Sequence, residues 1–474
     1  MQKSFHQDRL RAVWGSRWRF RRVETIAGVV LAAALVWIVI AGVVTSARTG
    51  GDEASLALAY RLAIVWDDWG RASSAQSDVG KHGGPDVHGA RLGYALIAAA
   101  IARITPGTRQ GLACWAEGLS ECRPVRVPML VLAHILAALA AVFLAHRTAL
   151  RLSGDRLIAL LAVVLALMSM RLGQLAGSLR SMIWYAVLLL AYQTLLVCGA
   201  DQRSWAGLVQ LAVAGSVLTL ATLIEPATAV LLPVTIALLT LVGPSGKGAG
   251  DGRRSLGADR GAQVAAFLLG VAVMGLLPAL SLGYSLSVEL LAARATGLLA
   301  QRTAFNGVDI HTWLAALVTP VPWLGDMVLT LLPTEAAHKL AVGSRPGSLA
   351  DFGNSVILPD ALARGGGTFR VAIDVLLGER VFGQAAAYLA ALPIVLMRGL
   401  FAGGGILALT GLAHMGSLVR YARADGRLRL HLLALVPAVA LLLANALLTS
   451  NEFWHNPMLP LVYAYAIAYV AGGW

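Results

Sequence analysis

Asp52 and Glu53 stand side by side in "TSARTGGDEASLALAY", residues 45–60, directly after the first long apolar run of the chain. A carboxylate placed there can take a proton from a hydroxyl reacting at headgroup depth. Acids flanking a span are also ordinary solvated loop residues, and both readings are carried forward. A second acid pair, Asp67 and Asp68, follows in "DDWG". Cations come next: Arg91 in "HGARLGY", Arg171 and Arg180 about the turn "MRLGQLAGSLR", and Arg398 inside the apolar "LPIVLMRGLFAGGG". An ionisable group at membrane depth either serves a function or snorkels to the interface. Glu225 in "TLIEPATAV" poses the same choice, and Pro226 after it points to a helix boundary. Glu452 and His455 border the last apolar run, where they suit either a polar ligand or the fold. His82, Asp86 and His88 in "KHGGPDVH" are metal-ligand types, but their spacing matches no established site. A divalent metal therefore stays unassigned, and no cofactor is expected with certainty.

The elements that must position these residues are apolar helices. Of the 474 residues, 58% are apolar and 13% charged, with a mean hydropathy of +0.71, whereas soluble chains carry about 25% charged residues. Runs of spanning length, roughly 17–25 residues each, recur at 25–47, 127–146, 156–174, 181–199, 205–223, 226–242, 262–284, about 386–418, 430–449 and 457–474. They are continuous and rich in Leu and Ala, which excludes the short alternating strands of a barrel. The expected fold is an all-α polytopic membrane protein with about ten transmembrane helices.

Basic residues set the expected orientation. Seven Lys/Arg precede the first span, so the N-terminal segment 1–24 is expected in the cytoplasm and not as a cleaved signal. Alternating from there, the cytoplasmic segments hold 19 basic and 7 acidic residues, and the external side 19 and 18. The formal charge of +13 thus speaks of topology, not of nucleic acid.

Four segments follow: the basic N-terminus 1–24; an N-terminal transmembrane module 25–284 with an external loop at 48–126; an external loop 286–385 with amphipathic helices; and C-terminal transmembrane helices over 386–474. Loops on a rigid scaffold carry function, so chemistry is expected on the external face. In the first loop, "DEASLALAYRLAIVW" has a helical apolar period, and "ARLGYALIAAAIARI" is a second apolar segment too short to cross. Both are expected to lie along the membrane surface. Cys114 and Cys122 in "CWAEGLSEC" either form a disulfide in an oxidising compartment or remain two thiols, while Cys198 is expected to be inert.

This order of span, acid pair, interfacial helix, polar loop, interfacial helix and second span resembles the GT-C glycosyltransferases. These polytopic enzymes take a sugar from a polyprenyl-phosphate carrier on the external side of a membrane, and include protein mannosyltransferases and the lipid A aminoarabinose transferase. Asp52, Glu53 and "LALAYRLA" are similar to the family's acid pair and Tyr-bearing helix. "DDWG" looks like its Gly-Asp-Trp turn, and "HGARLGYALIAA" its His/Arg-Pro-Pro-Leu-Tyr segment. "ATLIEPATAVLLPV" and "NEFWHNPMLPLVYAYA" are similar to its later Thr-Arg-Pro and Glu-Arg-Tyr segments. Glu225 and Phe453 stand where the family often has Arg, so the anion site here must be built differently.

The resemblance implies a hexosyl- or pentosyltransferase with a periplasm-facing active site in a bacterial inner membrane. Its catalytic residues would be Asp52, Glu53 and Asp68, with Asp52 matching the base and Asp67 or Asp68 the alternative. Arg91, Arg180 and Arg398 would hold the donor phosphate. Asp67, His88, Tyr94, Glu225, Glu452 and His455 would line the substrate. The partners implied are a polyprenyl-phosphate sugar, a glycan, lipid or protein acceptor, and the bilayer. The alternatives are a lipid-linked polysaccharide polymerase or ligase, and a non-catalytic membrane assembly subunit. The sequence carries no Gly-rich phosphate loop or serine nucleophile elbow, and no internal repeat of the transporter kind.

Overall fold

A computed structural model describes residues 17–46, 52–67, 90–117, 127–153, 177–201, 204–241, 253–282 and 428–448, with isolated positions at 124, 156, 159, 160, 162, 163 and 458. Among these residues the chain is helical, with no strand. The helices are α1 (Arg17–Ser46), α2 (Glu53–Asp67), α3 (Leu92–Ile104), α4 (Pro106–Ala116), α5 (Pro128–Ser153), α6 (Met182–Asp201) and α7 (Trp205–Ile224). A 3-10 turn (Pro226–Val230) leads to α8 (Leu231–Leu241), followed by α9 (Arg253–Leu282) and α10 (Leu428–Leu448). The apolar runs at 25–47, 127–146, 181–199, 205–223, 226–242, 262–284 and 430–449 coincide with helices. Those at about 386–418 and 457–474, most of 156–174, and the loop 286–385 lie outside the described residues.

Among the described residues, four helices are long and apolar enough to cross a membrane: Pro128–Leu152, Met182–Ala200, Trp205–Ile224 and Arg260–Ser281. Three of them expose large apolar side chains, among them Leu136 and Phe143 on α5, Val213 on α7 and Leu276 on α9. On α9, Leu269, Val273, Leu276 and Leu280 are more than half exposed at helical spacing. In water such a stripe would be a liability; in hydrocarbon it is the natural outer face. α6 is the opposite case, packed by α5, α7 and α10 at the centre of the bundle.

Lipid gives helices no hydrophobic reason to associate, so small residues and interhelical hydrogen bonds must do it. Tyr185 and Tyr192, two turns apart on α6, meet Thr228 and Thr235, spaced the same way on the 3-10 turn and α8. Thr148 on α5 meets Thr194 on α6, and Gln193 donates to the Ala434 carbonyl of α10 at 2.9 Å. α7 crosses α9 at Gly215 and Gly270, where an added Cβ would overlap the carbonyls of Phe267 and Ala212. Ser216 Oγ donates to Gly270 O there at 3.0 Å.

α2 lies across one end of this bundle. Its start is tied to the turn before α6, through Asp52 N–H to Leu179 O at 3.3 Å. Its last turn reaches the final turn of α9, through Trp66 Nε1 to Ser281 Oγ at 3.1 Å. The opposite end of the bundle is marked by Gln263 of α9 donating to Ala200 O of α6 and Arg260 to Thr240 O of α8. The expectation of a single apolar stripe on α2 is corrected: Ser55 to Ala59 are all fully buried. The helix is covered by α3, α4 and α9 on several sides at once. The additional helix α4, opened by Pro106 at its first position, was not anticipated. Cys114, on α4, is disulfide-bonded and Cys198 is a free thiol; Cys122 lies outside the described residues.

Candidate functional site

Four chain segments converge beside the start of α2. The Asp52 carbonyl accepts the Leu56 N–H at 2.9 Å, which makes it the residue at the helix entrance. Its Oδ2 lies 3.7 Å from Nε of Arg91, with the two side chains only 18% and 14% exposed. Arg91 stands just ahead of α3, its own extended backbone fixed by an N–H donated to Ser55 Oγ at 2.8 Å. Its Nη1 donates to Ser181 Oγ at 2.8 Å. One guanidinium therefore links the entrance of α2 to the entrance of α6, using two different nitrogens. Gly93 allows this closeness, since a Cβ there would sit 2.5 Å from the Leu220 carbonyl of α7.

The turn before α6 supplies the next contacts. Leu179 is fully buried at a φ of 49°, a left-handed conformation that L residues avoid. Its carbonyl accepts both the Asp52 N–H and the Tyr94 hydroxyl, the latter at 2.9 Å. Gly177, two residues earlier, sits so close to Gly42 and Thr45 at the end of α1 that no side chain fits. Arg180 is exposed at the rim. Behind the rim, Glu225 is 2% exposed in extended backbone between α7 and the 3-10 turn, within electrostatic reach of Tyr185, as Arg91 is.

Tyr94, which the resemblance would set against the substrate, is fully buried, and its hydroxyl is engaged by Leu179 O and by Nε2 of His134 at 3.1 Å. Burial and the nearby Asp52 charge push its phenol well above the ordinary range, so it remains a protonated donor.

Of the residues named from sequence, Asp52, Arg91, Tyr94, Arg180 and Glu225 are brought to one end of the bundle. Glu53 is there too, with its side chain exposed. Asp67 is the last residue of α2, about 21 Å along the axis from Glu53 at 1.5 Å per residue. Glu53 and Asp67 thus stand at opposite ends of α2. Asp68, His88, Arg398, Glu452 and His455 lie outside the described residues, as do His82 and Asp86. Among the described residues no group of three His, Cys, Asp or Glu is placed to hold a metal.

Ser55, Leu179, Ser181 and His134 escaped sequence reasoning. His134 had a signal: it is the lone ionisable group in "PMLVLAHILAAL", an apolar run where such a residue asks for a reason. Nothing in the sequence marks a leucine for positive φ. No family model, no curated protein and no solved structure matches this chain.

Proposed function

We propose that the chain is a GT-C-type glycosyltransferase, moving a sugar from a polyprenyl phosphate to a cell-envelope acceptor on the external face of a bacterial inner membrane. The observation that carries this reading is the Asp52–Arg91 pair at the entrance of α2, with Arg180 at the rim beside it. A transfer of this kind needs one group to receive a proton and cations to receive a phosphate, at headgroup depth. The acceptor hydroxyl oxygen forms a bond to the anomeric carbon while the bond from that carbon to the phosphate oxygen breaks. The electron pair leaves on the phosphate, and the hydroxyl proton passes to the Asp52 carboxylate. A single displacement of this sort inverts the anomeric centre. Arg180 meets the departing phosphate, and Arg91 holds Asp52 in place while presenting positive charge to the same space.

The placement of α2 across the bundle end supports an interfacial role for that helix. The bonded Cys114 supports an oxidising compartment on that side. The purified protein in vesicles, given undecaprenyl-phosphate hexoses and pentoses with extracted envelope lipids, should release undecaprenyl phosphate with matching gain of mass on an acceptor. Failure to consume any of these donors would overturn the reading. Orientation has its own check: Cys in place of Arg180 should react with an impermeant thiol reagent in intact cells, and Cys in place of the exposed Arg151, at the far end of α5, only after lysis.

A further inference from the structure

We propose that His134 is a positioning residue for Asp52, acting through Tyr94 and the carbonyl of Leu179; its meaning for catalysis rests on Asp52 being the base proposed above. His134, Tyr94 and Leu179 are all fully buried. They come from α5, α3 and the turn before α6, so this chain of contacts joins three elements to the entrance of a fourth. His134 Nδ1 lies 2.8 Å from Leu130 O. A carbonyl only accepts, so Nδ1 carries a proton and points Nε2 the other way, at the Tyr94 hydroxyl 3.1 Å distant. Two aromatic rings grip the imidazole edge-on: Tyr94 at 5.5 Å and 88°, and Trp184 at 5.9 Å and 84°. Tyr94 in turn donates to Leu179 O, the same oxygen that receives the Asp52 N–H.

The proton count gives the arrangement its consequence. With Nδ1 alone protonated, Nε2 is an acceptor, and the single Tyr94 hydrogen has two claimants, Nε2 and Leu179 O. The imidazole therefore both shares that hydrogen and fixes the ring that carries it; without His134, Tyr94 loses its edge-on neighbour and its second hydroxyl partner and is no longer held against Leu179 O. That matters because Leu179 sits in a backbone conformation that persists only when its surroundings impose it. Release of Leu179 would free the amide of Asp52 and let its carboxylate drift from Arg91.

The test reads the position of Asp52 directly. Amide hydrogen exchange is followed in the purified full chain for wild type, Tyr94→Phe, His134→Ala and His134→Gln. Losing one hydrogen bond of ordinary strength should speed exchange at Asp52 roughly tenfold in Tyr94→Phe and His134→Ala. His134→Gln retains a donor and an acceptor and should stay near wild type, and α7 should be unchanged in all. Unchanged exchange at Asp52 in both of the first two variants, or equal acceleration along the whole chain, overturns the proposal. Tyr94→Phe removes one oxygen only, so the test stands if His134→Ala fails to fold. In the transfer assay the same two variants should lower kcat with the donor KM unchanged. Faster exchange at Asp52 with no transfer by wild type would sink the proposed function and leave the positioning role intact.

Discussion

The α2 end of the bundle and the α7–α9 crossing use opposite means to bring backbone close. At the crossing, Gly215 and Gly270 remove side chains so that two helices touch along their lengths, with one hydrogen bond from Ser216. The contact is between helices, tolerant of detail except volume, and it faces lipid on its outer side. At the α2 end, Asp52, Ser55, Arg91, Tyr94, Leu179 and Ser181 are joined by directional bonds from three separate segments, around a leucine in a disfavoured conformation. The first region is built to hold, the second to place particular atoms. Strain and specific polar contacts gather where function needs geometry, and that region is where the chain departs from simple helix packing.

The sharpest way to break this contrast is Asp52→Asn. It keeps size, polarity and the backbone bonds of residue 52, and gives up only the ion pair to Arg91 at 3.7 Å, so the fold should be retained with a small loss of stability. It removes the proton acceptor, so transfer should fall by at least roughly 10²-fold. Wild-type turnover in this variant would reduce the α2 end to another structural contact.

The crossing should respond in the reverse sense. Gly270→Val forces a side chain against the Ala212 carbonyl and the Ser216 amide. It should lower stability by about 1–3 kcal/mol, read as a lower melting temperature in detergent. Transfer per folded molecule should be retained. A loss of transfer at unchanged melting temperature would mean the two regions are coupled.

Arg91→Lys separates charge from geometry. Arginine reaches Asp52 with Nε and Ser181 with Nη1, whereas a lysine must meet both from one nitrogen without the guanidinium's fork, at the expense of one of the two contacts. Losing one such bond should reduce transfer by about tenfold, equivalent to about 1.4 kcal/mol. Full activity in Arg91→Lys would show that only the positive charge matters there.

How much of this was legible in the sequence follows from the same division. Helices announce themselves by long apolar runs, so the four spans at Pro128–Leu152, Met182–Ala200, Trp205–Ile224 and Arg260–Ser281, the break at Glu225–Pro226 and the short helices after Asp52 and Arg91 are readable. Single residues with an obvious chemical reason, such as Asp52 and Arg91, were readable as candidates too. Their pairing was not, because it depends on residues 39 positions apart meeting across an end of the bundle. Leu179 was invisible for a physical reason: positive φ normally calls for glycine or asparagine, and a leucine is held there by tertiary contacts alone. The apolar period of α2 understates its burial because periodicity reports one partner, and this helix has several.

The smallest expected effect tests the asymmetry within the acid pair itself. Glu53 is the first residue of α2 and exposed, one position from Asp52 but on another side of the helix. Its visible contribution is a negative charge at a helix N-terminus, worth about 0.3–1 kcal/mol in an exposed setting and less at high salt. Glu53→Gln should therefore shift the melting temperature slightly, lose that shift as ionic strength rises, and leave transfer within about three-fold of wild type, a change below 1 kcal/mol. A drop comparable to Asp52→Asn would mean that both carboxylates reach the reacting atoms. The α2 entrance would then have to turn on substrate binding, bringing Glu53 inward from where it now stands.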